Sequence, residues 1–296
     1  MTASAAPAVC HADHAHHVRA RIVAHSQIAE RTWRIRLDCP EIAAQAVPGQ
    51  FAMLRIPDRA DPLLARPLAV YDTFAVDGRP RHADFIYLVH GKFTTALPSL
   101  RVGDEMLVWG PLGNGFDPPA VEHLVLVAGG IGQTALLSLG RERLGAAVYG
   151  APRRTAPRAR KVTFCWGARH AGMFGDIDDF RSAGFDVHLA TLDGSAGIRG
   201  TVVDLLDTVV SNGGRSAGES MHVACCGPGP MMAAVAKWAA ARQAGCHVSL
   251  EEPMACGIGI CFTCVARIRQ PDGGWDYRRT CIEGPVFDAR DVAWAD

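Results

Sequence analysis

The apolar positions of this chain change their period twice along its length. From Val18 to about residue 118 apolar and polar residues alternate. Val18, Ala20, Ile22 and Ala24 stand between charged or polar neighbours, and Trp33, Ile35 and Leu37 alternate with Arg34 and Arg36. A period of two buries one face of a strand and leaves the other wet. The same pattern predicts further strands at Phe51–Ile56, Leu68–Thr73, Phe85–Val89 and Met106–Trp109, with turns at Pro48-Gly49, Asp77-Gly78 and Gly103-Asp104. Several short strands at this spacing predict a small, closed antiparallel β-barrel.

At His123 the alternation stops. Leu124–Ala128 is a continuous apolar run, as in a strand buried on both faces. Gly129, Gly130, Ile131 and Gly132 follow, then Thr134 and an apolar helix start. Strand, Gly-rich turn and helix make a dinucleotide-cradling unit, although the full G-x-G-x-x-G is absent. Buried strands are predicted again at Val162–Trp166, Phe185–Ala190 and His222–Cys226. They alternate with helical stretches near Asp178–Ala183, Val203–Val210 and Met231–Ala244. That alternation predicts a Rossmann-like parallel α/β domain. Cys226, Gly227 and Pro228 end one of its strands, at the edge where open α/β sheets bind ligands. Gly145–Arg160, with four arginines among Ala and Pro, reads as a solvated surface insertion, as does Ser211–Glu219.

A third pattern begins after Met254. Cys256, Cys261 and Cys264 are spaced C-x4-C-x2-C, and Cys281 returns after a short excursion. This is the spacing of plant-type [2Fe–2S] ligation, in which four thiolates serve two irons. Gly257 and Gly259 let backbone wrap close to such a cluster. Zinc sites usually pair two C-x2-C units, and only one is present here. Disulfide frameworks belong to small secreted domains. Plain buried thiols fit the glycine-rich spacing poorly.

Composition adds bounds. A chain of 296 residues predicts two or three domains. Lys plus Arg equals Asp plus Glu at 30 each, which gives no argument for nucleic acid or an anionic membrane. No apolar run approaches the roughly 20 residues of a membrane span. Ten cysteines without a signal-like apolar start point to a reducing cytoplasm. Cys10, His11, His14, His16 and His17 are metal-capable residues, but with no second ligand-rich segment the stretch reads as a disordered tail.

Two pieces of the barrel carry further chemistry. Arg66 and Pro67 open a strand, and the planar fork of an Arg suits a diphosphate. Phe85–Val89 runs into a glycine turn at Gly91 and a short helix at Phe93, Thr94 and Thr95, whose free N–H groups suit phosphate oxygens.

Taken together these residues resemble the ferredoxin-reductase-like flavoproteins, and among them the electron-transfer subunits of type B dihydroorotate dehydrogenases. The resemblance runs in order from about residue 18 to 290. It rests on Pro48-Gly49-Gln50-Phe51, Arg66-Pro67, Gly110 to Phe116, Gly129 to Gly132, Cys226-Gly227-Pro228, Met254 to Gly259 and Gly284 to Phe287. The long 264–281 excursion favours the dihydroorotate family over the related sulfite reductase subunits. The resemblance implies a tail at 1–17, an FAD barrel at 18–118, an NAD domain at 119–248 and a [2Fe–2S] domain at 249–296. It implies FAD at Arg66, Pro67, Leu68, Ala69, Ile86, Tyr87, Leu88, Phe93 and Thr94. It implies NAD at Gly129, Gly130, Gly132, Gly227 and Pro228, with Cys226 catalytic beside the nicotinamide, and iron on Cys256, Cys261, Cys264 and Cys281. It further implies an FMN-containing catalytic partner, two of each subunit, and a place in pyrimidine biosynthesis. Two residues depart from the pattern: Ala69 stands at a usual Ser or Thr, and Phe93 at a usual Gly. Other reductase complexes, or a cluster-bearing sensor without flavin, are the rival readings.

Overall fold

The computed structural model describes residues 11–211 and 219–294. Cys10 lies outside them, as does Ser211–Glu219 apart from its two end residues.

The first part is the expected barrel. Its strands are β1 (His16–Ala29), β2 (Thr32–Asp38), β3 (Phe51–Arg55), β4 (Arg66–Val76), β5 (Arg79–Leu88) and β6 (Glu105–Leu112). Helix α1 (Pro40–Gln45) follows β2, and α2 (Gly91–Ala96) follows β5. The strands close in the order β1-β2-β5-β4-β3-β6, every neighbouring pair antiparallel. The period-two pattern sets the core: Ala20, Ile22, Ile35 and Leu37 are fully buried and pack with Phe85, Met106 and Val108. Each buried aliphatic side chain contributes about 1.5–3 kcal/mol. Asp77 and Gly78, at φ 50° and 74°, form the two-residue hairpin between β4 and β5 that a type I′ turn requires.

The second part is the parallel sheet. It carries β7 (His123–Gly129), β8 (Lys161–Ala168), β9 (Asp186–Thr191), β10 (Ile198–Arg199), β11 (Met221–Cys226) and β12 (Gly245–Ser249). Helices α3 (Leu137–Leu144), α4 (Ile177–Ser182), α5 (Val202–Leu206) and α6 (Gly229–Ala241) connect them. A hairpin of β13 (Val265–Arg269) and β14 (Trp275–Arg279) follows, and β15 (Val286–Asp288) returns to pair antiparallel with β12. The sheet order is β10-β9-β8-β7-β11-β12-β15. β7 is buried at every position, as its unbroken apolar run requires. Its odd residues face α5 and α6, and its even ones, with Phe164 and Phe180, face the other side. Strand order reverses between β7 and β11, which makes the crevice at their carboxyl ends a switch point. The stretch expected to be helical to Val210 leaves α-geometry after Leu206 and continues as a π turn over Asp207–Ser211.

Buried ion pairs hold the barrel to the sheet. Arg34 on β2 reaches Asp84 of the barrel, Asp176 just before α4 and Asp179 within it. Asp72 on β4 accepts from Arg141 of α3 and, at 2.7 Å, from the Tyr149 hydroxyl. This corrects the reading of Gly145–Arg160 as merely solvated. Many of its residues are exposed, but Tyr149 is buried, and Arg154 bonds the buried Glu142 and the Phe116 carbonyl. Arginine content signals charge, not the partner that charge will find. Among the described residues no helix is long and apolar enough to cross a membrane.

Candidate functional site

The cysteine loop is tightly constrained. Gly257 and Gly259 sit at φ 73° and 80°, a region that favours glycine. A Cβ on Gly257 would lie 2.6 Å from Met53 Cγ, and one on Gly259 would strike Ile282. The loop therefore lies directly on the barrel and on the chain around Cys281. The Trp109 indole donates to the Cys256 carbonyl at 3.0 Å. The Arg279 guanidinium donates to the Gly259 carbonyl at 2.9 Å. The hairpin of β13 and β14 explains the long excursion. It carries the chain out and back, so that Thr280 bonds the Cys264 carbonyl through both its N–H and its hydroxyl.

Four thiols result, in two neighbouring pairs: Cys256 with Cys261, and Cys264 with Cys281. Cys261 is exposed, Cys256 half-buried, and Cys264 and Cys281 are buried. The Thr263 hydroxyl, 3.2 Å from Cys261 Sγ, pulls that thiol down to about 6. Burial first, then Cys264, pushes Cys281 up to about 12. The Ile258 N–H points at Cys256 Sγ from 3.4 Å. Among the described residues no three His, Cys, Asp or Glu groups are arranged to hold a single metal ion. Two pairs of thiols fit a two-iron cluster, since each iron takes two thiolates.

The flavin candidates gather at one rim of the barrel, where β4 begins, β5 ends and α2 follows. Arg66 is exposed there, and its guanidinium donates only to the nearby carbonyls of Leu64 and Ala65, at 3.3 and 2.9 Å. Pro67, Leu68, Ala69 and Leu88 are half-buried along the same edge. Ile86 and Tyr87 are buried, and the Tyr87 hydroxyl pairs with His25 Nε2 at 2.7 Å. Tyr87 thus supports the rim from within the barrel, while Ile86 faces the apolar group shared with the sheet domain. Phe93 also turns inward, 1% exposed, into the barrel core with Leu97 and Phe85. The departure at Phe93 therefore fills the barrel end and does not crowd the rim. The Thr94 hydroxyl accepts from the His90 N–H and donates to the His90 carbonyl, fixing the first turn of α2.

The nicotinamide candidates meet at the switch point. A Cβ on Gly132 would collide with the Cys226 carbonyl, and one on Gly227 would lie 2.9 Å from Gly129 N. Gly132, in the turn after β7, is needed for this close approach to the end of β11. Trp166, at the end of β8, donates its indole N–H to the Gly130 carbonyl at 2.8 Å. Burial first, and the Glu251 carboxylate second, push the Cys226 thiol up to about 12, so it is a neutral thiol at physiological pH. A small cavity joins this loop to the barrel, lined by Thr32, Leu88, Gly130, Ile131, Gln133 and Trp166. Gln133 is 1% exposed and its Oε1 has no partner, an orphaned acceptor at the place where the two cofactor candidates converge. A second cavity of about 390 Å³ separates the start of α6 from the β13–β14 hairpin, bounded by Pro228, Glu251, Arg267 and Trp294. Sequence reading missed Gln133, Trp166 and Trp109. For Gln133 a signal existed, an amide inside an otherwise apolar Gly-rich turn.

Residues 251–293 match the family described as the iron-sulfur cluster binding domain of dihydroorotate dehydrogenase B. Over 279 residues the chain is 34% identical to the dihydroorotate dehydrogenase B (NAD(+)) electron transfer subunit of Geobacillus thermodenitrificans, covering 93% of this chain and 97% of that one. It is 35% identical to the subunit of the same name from Bacillus caldolyticus, with 93% and 98% covered. Among solved structures it is similar to the NADH-dependent reduced ferredoxin-NADP oxidoreductase studied for flavin-based electron bifurcation. There the TM-score is 0.75 and the identity 27%, over 94% of this chain and 90% of the other. Identity at this level from end to end, with the barrel, the sheet and the paired thiols all in place, means that the chain belongs to the family of dihydroorotate dehydrogenase B (NAD(+)) electron transfer subunits.

Proposed function

We propose that this chain passes electrons from the FMN of a separate dihydroorotate-oxidising subunit to NAD(+), in pyrimidine biosynthesis in the cytoplasm. Its own redox groups are one [2Fe–2S] cluster and FAD. When bound, they supply the exchange between single electrons and the hydride that a nicotinamide takes. Cys256 and Cys261 hold one iron, and Cys264 and Cys281 the other. Arg66 grips the flavin diphosphate, while Pro67, Leu68, Ala69 and the backbone of Ile86–Leu88 and Phe93–Thr94 shape its seat. Gly129, Gly130, Gly132, Gly227 and Pro228 bring the nicotinamide to the same crevice, with Cys226 beside its ring.

The observation that carries this reading is the seating of the thiol loop on the barrel, through Trp109 and Met53, within a chain of this family. Met53, beneath the cluster loop, is the ladder partner of Pro67 at the flavin rim, and the rim residue Leu88 lines the cavity that reaches Gly130. The partner docks on the cluster side. Ile260, Phe262, Trp275 and Tyr277 are 74, 64, 47 and 50% exposed there, an apolar and aromatic group of the kind enriched at interface cores. Two chains of each kind make the complex. The first test is anaerobic purification with iron, sulfide and flavin quantified. Iron and sulfide in equal amount, with FAD, support the reading, and Cys281→Ala should lose the iron. Full iron in that variant, or a chain that takes up no FAD, would contradict it.

A further inference from the structure

Trp109 touches both the cluster loop and the start of the chain. Its indole N–H is spent on the Cys256 carbonyl, 3.0 Å away. Its ring lies 5.9 Å from that of His17, which pairs with it across the β1–β6 ladder. Just before β1, a single 3-10 turn, His11–His14, brings Ala12 and Ala15 against the apolar group of Phe51, Met53, Leu112, Met254, Cys264 and Cys281. The Ala15 N–H closes that turn on the Ala12 carbonyl at 3.2 Å. His16 is tied at 2.8 Å to Gln45 at the end of α1. The stretch that the sequence presents as a tail is thus fastened at three points. Its two small side chains pack against the same apolar group that buries Cys264 and Cys281.

We propose that residues 11–17 are a cover for the cluster loop, and that Trp109 is a positioning residue that couples this cover to Cys256. The proposal rests on the reading of the four cysteines as cluster ligands. A reduced cluster carries more negative charge than an oxidised one, and water stabilises that charge, so exposure to solvent is one of the levers on its potential. A cover that keeps water and dissolved oxidants from the Cys264 and Cys281 side lowers the midpoint potential and slows loss of the cluster. Alanine at positions 12 and 15 lets the turn's backbone approach this apolar group closely. A charged side chain at either position would lift the turn away.

The test uses the whole chain purified anaerobically, a deletion of residues 1–15, the full-length Ala12→Asp, Ala15→Asp double variant, and Trp109→Phe. Bleaching of the visible absorbance in air and the midpoint potential are measured for each. The deletion and the double variant should bleach several-fold faster and show a more positive potential. Both should keep the parent rate of NADH oxidation by a dye that accepts from flavin, which a damaged fold would not. Trp109→Phe should keep the cover but lose the indole bond, and its electron paramagnetic resonance spectrum should shift. Unchanged bleaching and potential in both cover variants would overturn the proposal. A parent chain without iron and sulfide would overturn the ligand reading beneath it, which is a distinguishable result.

Discussion

Replacing Arg34 with methionine should destabilise the barrel, through Asp84, and also weaken its contact with the nucleotide-binding sheet, through Asp176 and Asp179. Arg34 stands among three carboxylates. Its Nε lies 2.6 Å from Asp84, and its Nη1 lies 2.9 Å from Asp176 and 2.7 Å from Asp179. Asp84 has no exposed surface, and Arg34 is 19% exposed. The Tyr71 hydroxyl adds a bond to Asp179 at 3.0 Å, and the Arg34 guanidinium lies 5.1 Å over the Tyr71 ring. Taking one partner from a buried ion pair costs about 3–5 kcal/mol, because the remaining charge is stranded. Asp84 keeps two bonds from Arg36, which puts its share at the low end of that range. Asp176 and Asp179 are partly exposed, so each adds about 0.5 kcal/mol after screening. The sum is about 3–4 kcal/mol, or roughly 5–6 °C in melting temperature for a chain of 296 residues. Arg81→Ala is the control. Its pair with Asp38 has ideal two-bond geometry, but Arg81 is half exposed and screened by water, so its loss should be far smaller than that of Arg34→Met. Urea and thermal unfolding of both variants and the parent, with FAD supplied, make the comparison. Equal losses for the two variants, or an Arg34→Met loss under about 1 kcal/mol, would refute the claim that the buried Asp84 charge depends on Arg34.

Arg66→Ala should weaken FAD binding by about 1.5–3 kcal/mol, roughly 10- to 150-fold in Kd, through loss of a charge-assisted contact. Equilibrium dialysis reads this directly, and an unchanged Kd would remove Arg66 from the site. Acid should destabilise the fold through His222 and His247, whose rings lie 4.5 Å apart on β11 and β12. Burial first, then His247, pushes His222 down to about 3 from an ordinary 6.5. The unfolded chain binds the proton more readily, so this stabilisation is full above pH 6.5 and is lost as pH falls toward 3. The urea midpoint of His222→Phe should therefore fall less between pH 7 and pH 5 than that of the parent. Cys226→Ala should slow NADH oxidation while leaving FAD and iron content intact, and an unchanged rate would make Cys226 a packing residue.

Legibility from sequence followed the range of the interactions. Alternation revealed the barrel strands because a half-buried strand repeats every two residues, as Trp33, Ile35 and Leu37 do. The buried strands β7 and β8 were visible for the opposite reason, an unbroken apolar run. β12 escaped notice because Cys246 and His247 interrupt its apolar residues, and β15 because three residues carry no period. The cluster ligands were legible because three of the four are close neighbours in sequence. What supports them was not, since Trp109 lies 147 positions from Cys256, and no spacing rule encodes that contact. The His-rich start likewise read as a tail, because two alanines announce nothing until the apolar group around Cys264 and Cys281 is assembled against them. Phe93 shows the converse. A departure from a family pattern, read along the chain, gives no indication of which way the side chain turns.

The central claim is that this chain is the relay between an FMN-bearing subunit and NAD(+). The direct measurement is NAD(+) reduction by dihydroorotate under anaerobic conditions, with the chain alone, the FMN-containing subunit alone, the two mixed, and the mixture carrying Cys281→Ala. The account predicts reduction only in the mixture of unaltered subunits, accompanied by a stable complex. Reduction by the chain alone, undiminished reduction with Cys281→Ala, or neither complex nor reduction on mixing would contradict it.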